Sequence, residues 1–361
     1  AFGSPQLYEL TRLGLEVTDC HSPINKQGQQ QHQVCRFPNG TVAMPAGSYP
    51  VYWTMSVMDF LWASGDVGEF NKLLPDVEAI LDDQIKIFDQ CLLTTASAKV
   101  MTRERCNYEF IGWDDRTGIG GSNPMAADGE PFRVYNSLVT RAVRELADAL
   151  NATGATAKAA HYRTAADGFA AKIRAAQPPD SFHVHSAAHA ANAGIFDTPS
   201  AQAVAFAKSL NDSTSICSLS PFNTFYIVQA LANLGHLEHA VAAVNHCWAP
   251  MTRLAHGCFL ELFDPDWADA MHVGQKAPSR PSYCHPWSSG ATPFLSKFVL
   301  GVQPVTVGFE SVTVTPFVSA AWPTLGGAVP VHSGKGALDL NASFVAGTAG
   351  AATVTITTES P

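Results

Sequence analysis

The chain has 361 residues, of which 46% are hydrophobic and 15% charged. That composition excludes a disordered tail and leaves room for two domains, or for one large domain with a small one. Acidic residues outnumber basic ones by 31 to 22, for a net charge of −9, and no Lys/Arg block occurs. Phosphate binding needs clustered cations, so no nucleic-acid partner is expected. No apolar run reaches the ~18 residues that span a bilayer, and no membrane partner is expected.

The beginning, AFGSPQLYEL, carries neither a basic n-region nor an apolar h-region. Residues 1–50 are rich in Gln, Pro and Gly and read as mainly irregular structure with one short helix. From about residue 51 to 300 the pattern is helical. An aromatic run from Trp53 to Trp62 breaks at Ser64-Gly65, and a long pattern follows from Glu69 toward Leu93. Val139, Val143, Leu146 and Leu150 recur as one stripe of a helix. Asn151-Ala-Thr-Gly154 ends that helix, and an alanine-rich one runs from Ala155 to Ala175. The same grammar returns at Phe225 to Leu234 and Leu237 to Trp248, with Gly235 between them suited to the left-handed position that closes a helix. Successive helical hairpins with short connections are therefore expected to stack into a toroid with its loops gathered at one mouth. After Leu300 only Glu310, Lys335, Asp339 and Glu359 are charged. Val312 and Val314 alternate with threonines, as do Leu338, Leu340, Ala342 and Phe344 with other residues, and Val354 with Ile356. Period-two patterning between Gly/Pro breaks predicts short antiparallel strands over 301–361, forming a β-sandwich. The fold class is thus mainly α with an all-β C-terminal domain.

Eight cysteines occur (Cys20, Cys35, Cys91, Cys106, Cys217, Cys247, Cys258, Cys284), with no CxxC pair to suggest zinc. Together with four N-x-S/T sequons, at Asn39, Asn151, Asn211 and Asn341, they predict a secreted, disulfide-bonded glycoprotein. Cys20–Cys35 and Cys91–Cys106 are the expected local pairs. His183, His185 and His189 form a metal-like string. It has no acidic partner close in sequence and alanine-rich flanks, so no metal site is assigned to it.

Loops carry chemistry because they are free to present polar and aromatic groups. Three stand out. In NYEFIGWDDRTGIGG, Trp113 offers an indole face to a sugar ring and Asp114 accepts from its hydroxyls. Equally, the loop could hold a buried Trp beside a surface Asp–Arg pair. In HGCFLELFDPDW, Glu261 stands between Leu260 and Leu262, with Phe259 and Phe263 outside them. Such flanks are expected to desolvate the carboxyl and raise its pKa, as an acid or base requires. The plain alternative is an outward-facing carboxylate on an amphipathic segment. In SYCHPWSSGATPFLSKFVLGVQP, His285 and Trp287 precede a helix and suit a second sugar contact, or a capping and packing role.

These loops resemble a known family. SYCHPWSSGATPFLSKFVLGVQPVTVGFESVTVTP, PAGSYPVYWTMSVMDFLWASGD, and SPFNTFYIVQALANLGHLEHAV followed by HGCFLELFDP are similar, in order and spacing, to segments of glycoside hydrolase family 78, the α-L-rhamnosidases. The resemblance covers residues 40–361. It implies an (α/α)6 barrel with an appended β-sandwich, and inverting hydrolysis of terminal α-L-rhamnosides without metal or cofactor. It makes Glu261 the general base, Trp113 a wall of the sugar subsite and His285 a hydroxyl contact. The family's general acid, a Glu in an acidic motif upstream of the Trp113 loop, has no counterpart in AFGSPQLYELTRLGLEVTDCHSPINKQ. The expectation is therefore a piece of a longer or processed polypeptide, or a chain that has lost the acid. Two other readings compete: a polysaccharide lyase on a similar toroid, with Arg116 or Arg253 neutralising a uronate, and a non-catalytic carbohydrate-binding relative.

Overall fold

The computed structural model describes residues 11–12, 20–21, 33–37, 40–44, 48–92, 130–205, 216–217, 220–254, 257–267, 282–318, 322–330, 337–344 and 352–358. Within them the chain is mostly helical, with α1 (Tyr49–Ser64), α2 (Val67–Cys91), α3 (Glu130–Ala152), α4 (Thr156–Ala176), α5 (Val184–Asn192), α6 (Pro199–Ala205), α7 (Pro221–Asn233), α8 (Leu237–Thr252) and the short α9 (Ala291–Phe294).

Local chemistry accounts for their ends. Pro50 sits in the first turn of α1, where its missing N–H costs nothing. Asp66 caps α2 by accepting from the Glu69 backbone N–H at 2.9 Å. The α3–α4 and α7–α8 reversals follow one scheme. Gly154 and Gly235 take φ of +86° and +83°. The next residues, Ala155 and His236, each donate back to the carbonyls of Leu150 and Leu231 at 2.8 Å. The expected stripe on α3 is wholly interior: Val143, Leu146 and Leu150 are inaccessible and Val139 nearly so.

Helix α1 packs on α2 and α3, α3 on α4 and α5, α5 on α7, and α7 on α8. Helices α1, α3, α5 and α7 therefore form an inner file, with α2, α4 and α8 outside it. Stacked rings of Phe88 and Phe169, with centroids 3.7 Å apart, join α2 to α4. Each large apolar side chain so buried contributes about 1.5–3 kcal/mol.

The stretch before residue 50, expected to be irregular, instead contains a three-stranded antiparallel sheet of β1 (Cys20–His21), β2 (Gln33–Phe37) and β3 (Gly40–Met44). Pairing between strands, rather than hydrophobic alternation within any one, builds it. Its register sets Cys20 opposite Cys35. After α9, β4 (Val302–Pro304) pairs antiparallel with β5 (Val312–Val314), and β6 (Thr324–Pro330), β7 (Ala337–Phe344) and β8 (Ala352–Thr358) form a second antiparallel sheet. Leu340 stands opposite Ile356 and Ala342 opposite Val354, so the alternation read from the sequence is matched across the strands. Val302 and Val329 are buried together, with Leu300, Phe309, Val312, Val314 and Leu325 packed around them. The turn Val307–Phe309 lies on α1. There Gly65 and Gly308 meet backbone to backbone, and a Cβ on Gly65 would stand 3.0 Å from the Gly308 Cα.

Two disulfides are described, Cys217–Cys247 and Cys258–Cys284, and Cys91 is also disulfide-bonded. Among the described residues no helix is long and apolar enough to cross a membrane.

Candidate active site

The starts of the inner helices gather at one end. Glu130, at the start of α3, is fully buried and accepts from the Ser186 N–H (2.9 Å) and Ser186 hydroxyl (2.6 Å) at the start of α5. It also accepts from the His183 N–H at 3.3 Å, and Arg133 pairs with it at 3.8 Å. Tyr52 of α1 meets Phe222 and Tyr226 of α7, with ring centroids 5.1 and 5.6 Å away. Phe222 in turn stacks on Trp287 at 5.4 Å.

Glu261 and the His285/Trp287 loop meet at this end. The segments 258–261 and 282–285 run side by side. The Glu261 N–H donates to the Ser282 carbonyl and the His285 N–H to the Phe259 carbonyl, each at 2.9 Å. The Ser282 N–H donates to Glu261 Oε2 at 3.1 Å. Beyond this ladder, Trp287 Nε1 donates to the Glu261 carbonyl at 3.1 Å and the Ser288 hydroxyl to the Leu260 carbonyl at 2.6 Å. His285 stacks on Trp287 with centroids 4.4 Å apart, and its Nδ1 accepts from the Trp287 N–H. The desolvation expected of Glu261 is only partial. Leu260 and Phe263 turn into the core, Phe259 and Leu262 are half-buried, and so is Glu261 itself. Alternation split the four flanking groups instead of wrapping them round the carboxylate. Tyr49, at the start of α1, lies within the field of Glu261; burial first and that carboxylate second hold its phenol above the usual value.

Deeper along the inner file lies a polar cluster that the sequence reading missed. Arg141 of α3 donates to Glu145 at 2.6 Å and to Gln229 of α7 at 2.8 Å, and lies 5.8 Å over the Tyr226 ring. Tyr226 also faces His189 of α5 at 4.8 Å. Burial, then Arg141 and His185, push His189 well below its ordinary pKa. Asp59 of α1 is solvent-exposed, with the charges of Glu145, Arg141 and Lys297 around it. Desolvation first and Glu145 second, opposed by Arg141 and Lys297, push its carboxyl up to about 6. The signal for this cluster was an aromatic triplet, Phe222, Phe225 and Tyr226, at helical spacing on α7.

Trp113 and Asp114, like Asn39 and Asn211, lie outside the described residues. Asn151 is exposed in the last turn of α3. Asn341 occupies β7 between Gly326 and Thr355. His183 precedes α5, while His185 and His189 are buried along it; no group of three metal-ligating side chains occurs among the described residues.

No family model matches the sequence, and no curated protein matches it. Solved structures do. A GH78 family rhamnosidase of Bacillus sp. GL1 superposes with a TM-score of 0.70 at 18% identity, over 97% of this chain and 35% of that one. An α-L-rhamnosidase from Aspergillus terreus gives 0.68 at 11% identity, over 94% and 38%. The Streptomyces avermitilis α-L-rhamnosidase complexed with L-rhamnose gives 0.61 at 15% identity, over 95% and 31%. The chain spans about a third of the length of each. Over almost all of its own length, then, this chain has the fold of part of the α-L-rhamnosidases.

Proposed function

We propose that the protein is a secreted, inverting glycoside hydrolase that removes terminal α-L-rhamnose from glycosides or polysaccharides. One observation carries the reading: a carboxylate, Glu261, is tied into the same ladder as a His285–Trp287 ring stack, at the end where the inner helices begin. A carboxylate beside an aromatic wall suits a sugar ring, which offers an apolar face and a rim of hydroxyls. The superpositions on α-L-rhamnosidases support this reading.

In this reading the helical hairpins form an (α/α)6 toroid and the C-terminal strands a β-sandwich. The Ser282 N–H fixes Oε2 of Glu261, and the carboxylate takes a proton from the water that attacks the anomeric carbon. A second carboxyl group protonates the leaving oxygen. Inversion sets the two about 6.5–9.5 Å apart, so that a water fits between base and sugar. His285 contacts a ring hydroxyl, Trp287 supports the wall, and Trp113 and Asp114 complete the subsite. The sequons at Asn39, Asn151, Asn211 and Asn341 carry glycans.

The test is incubation of the intact protein with an aryl α-L-rhamnoside and, separately, with a uronate polymer. Release of the aglycone, with a product of inverted anomeric configuration, is expected. An unsaturated product from the polymer, or rhamnose binding with no turnover in the intact protein, refutes the hydrolase.

A further inference from the structure

The two disulfides described occupy different surroundings. Cys247 is buried in α8 and packs with Cys217 against the core around Trp248 and Met251. Cys258 and Cys284, with Cα atoms 4.9 Å apart, are half-buried and exposed. They lie at one end of the ladder that holds Glu261. Adjacent to them is the His285–Phe259 hydrogen bond; the two Glu261–Ser282 contacts follow.

The two sides of this ladder differ in exposure. Residues 260–263 are held from the core: Leu260 is inaccessible, Phe263 nearly so, and Ser288 and Trp287 grip the Leu260 and Glu261 carbonyls. On the other side, Ser282, Tyr283 and Cys284 are exposed. Hydrogen bonds tie Ser282, and the disulfide ties Cys284, to the opposite strand. The donor that orients the Glu261 carboxylate is the Ser282 N–H, on the exposed side. We infer that the Cys258–Cys284 disulfide is a positioning clamp for Glu261, and that reducing it disorders the carboxylate's hydrogen bond while leaving the helical body folded.

This inference rests on the hydrolase reading for its effect on turnover. The chemistry is ordinary thiol exchange, which follows access. A thiolate of an added dithiol attacks one sulfur and breaks the protein S–S bond. The reagent's second thiol then displaces the mixed disulfide. Two electrons and two protons pass to the protein, leaving Cys258 and Cys284 as thiols and the reagent as a cyclic disulfide.

The experiment uses the intact protein treated with dithiothreitol under native conditions, then alkylated and mapped. Cys258 and Cys284 are expected to be labelled well before Cys217 and Cys247. A C258S/C284S variant isolates the pair from the other cysteines. With aryl α-L-rhamnoside its kcat is expected to fall about tenfold or more, with KM little changed, because a small displacement of a catalytic group costs far more in rate than in binding. In the wild-type protein, reoxidation should restore the rate lost on reduction. Independently of activity, hydrogen exchange at the Ser282 and His285 amides should accelerate at least about tenfold, as expected for a locally loosened segment, while amides of α3 and α8 keep their protection. Unchanged exchange at Ser282 and His285 in both the variant and the reduced protein overturns the clamp, whatever the turnover. If the oxidised protein cleaves no rhamnoside, the hydrolase reading fails, and the exchange measurement still decides the clamp.

Discussion

Replacing Glu130 tests how the starts of α3 and α5 are held together. Its carboxylate is inaccessible and accepts from Ser186 twice, at 2.9 and 2.6 Å, and from His183 at 3.3 Å, with Arg133 at 3.8 Å. In Glu130→Gln one oxygen still receives the Ser186 N–H, and the Ser186 hydroxyl can turn to accept from the new amide. His183 keeps a second acceptor in the Ser186 hydroxyl at 3.0 Å. What goes is the charge behind these bonds and the counter-ion of Arg133, a loss of about 1.5–3 kcal/mol. Glu130→Ala removes both carboxylate oxygens and leaves a nearly buried guanidinium without its counter-ion, which costs about 3–5 kcal/mol. That is a large share of the ~5–15 kcal/mol that holds a native domain together. Guanidinium denaturation followed by far-UV ellipticity should rank wild type above Gln above Ala. A Glu130→Ala variant within about 1 kcal/mol of wild type would refute the reasoning, because no buried carboxylate that satisfies three donors can be so cheap to lose.

Glu261→Gln should abolish rhamnoside hydrolysis by the intact protein while leaving rhamnose affinity within about threefold, since the amide keeps its shape and its Ser282 bond but takes no proton; calorimetry and aglycone release measure the two sides. Phe169→Ala breaks the 3.7 Å stack on Phe88 and opens a cavity between α2 and α4; a loss of about 3–5 kcal/mol is expected by denaturant titration. His189 is held neutral in the folded protein by burial, Arg141 and His185, so its folded pKa lies below its unfolded one. Its contribution to stability is present above the unfolded value of about 6.5 and is lost as pH falls below it, by up to about 1.4 kcal/mol per pH unit. Asp59, raised to about 6, works in the opposite sense: its contribution is present at low pH and fades as pH rises through 6. A His189→Gln variant should therefore flatten the loss of stability between pH 6.5 and 5, and an unchanged slope would remove His189 as its source.

The helices were legible because their signals are local. The Val139–Leu150 stripe needs only its own spacing, and Gly154 and Gly235 announce their reversals through a backbone conformation that other residues avoid. The Glu261 and His285/Trp287 loops were each visible as clusters of unusual letters. Their meeting, through hydrogen bonds between residues 259–261 and 282–285, depends on pairing that no periodicity encodes. Nor does periodicity encode the two described disulfides, in which Cys217 joins Cys247 and Cys258 joins Cys284, 30 and 26 positions away. Arg141 and Tyr226 look like an ordinary surface cation and a core aromatic in sequence; only the packing of α3 near α7 turns them into a cation–π contact. The strands before residue 50 escaped notice because they are two to five residues long and set among Gln-, Pro- and Gly-rich stretches.

The backbone-to-backbone meeting of Gly65 and Gly308 has a consequence for how the chain can be rebuilt. Because neither residue carries a side chain, this contact cannot relax by a change of rotamer. The strand-bearing segment is therefore expected to be seated on α1 like a keyed lid, and to ride with it as one piece when the protein is jostled. A chimaera that exchanged the C-terminal strands for those of another protein would have to import the Val307–Phe309 turn with its glycine intact, or redesign the end of α1 to receive a bulkier guest.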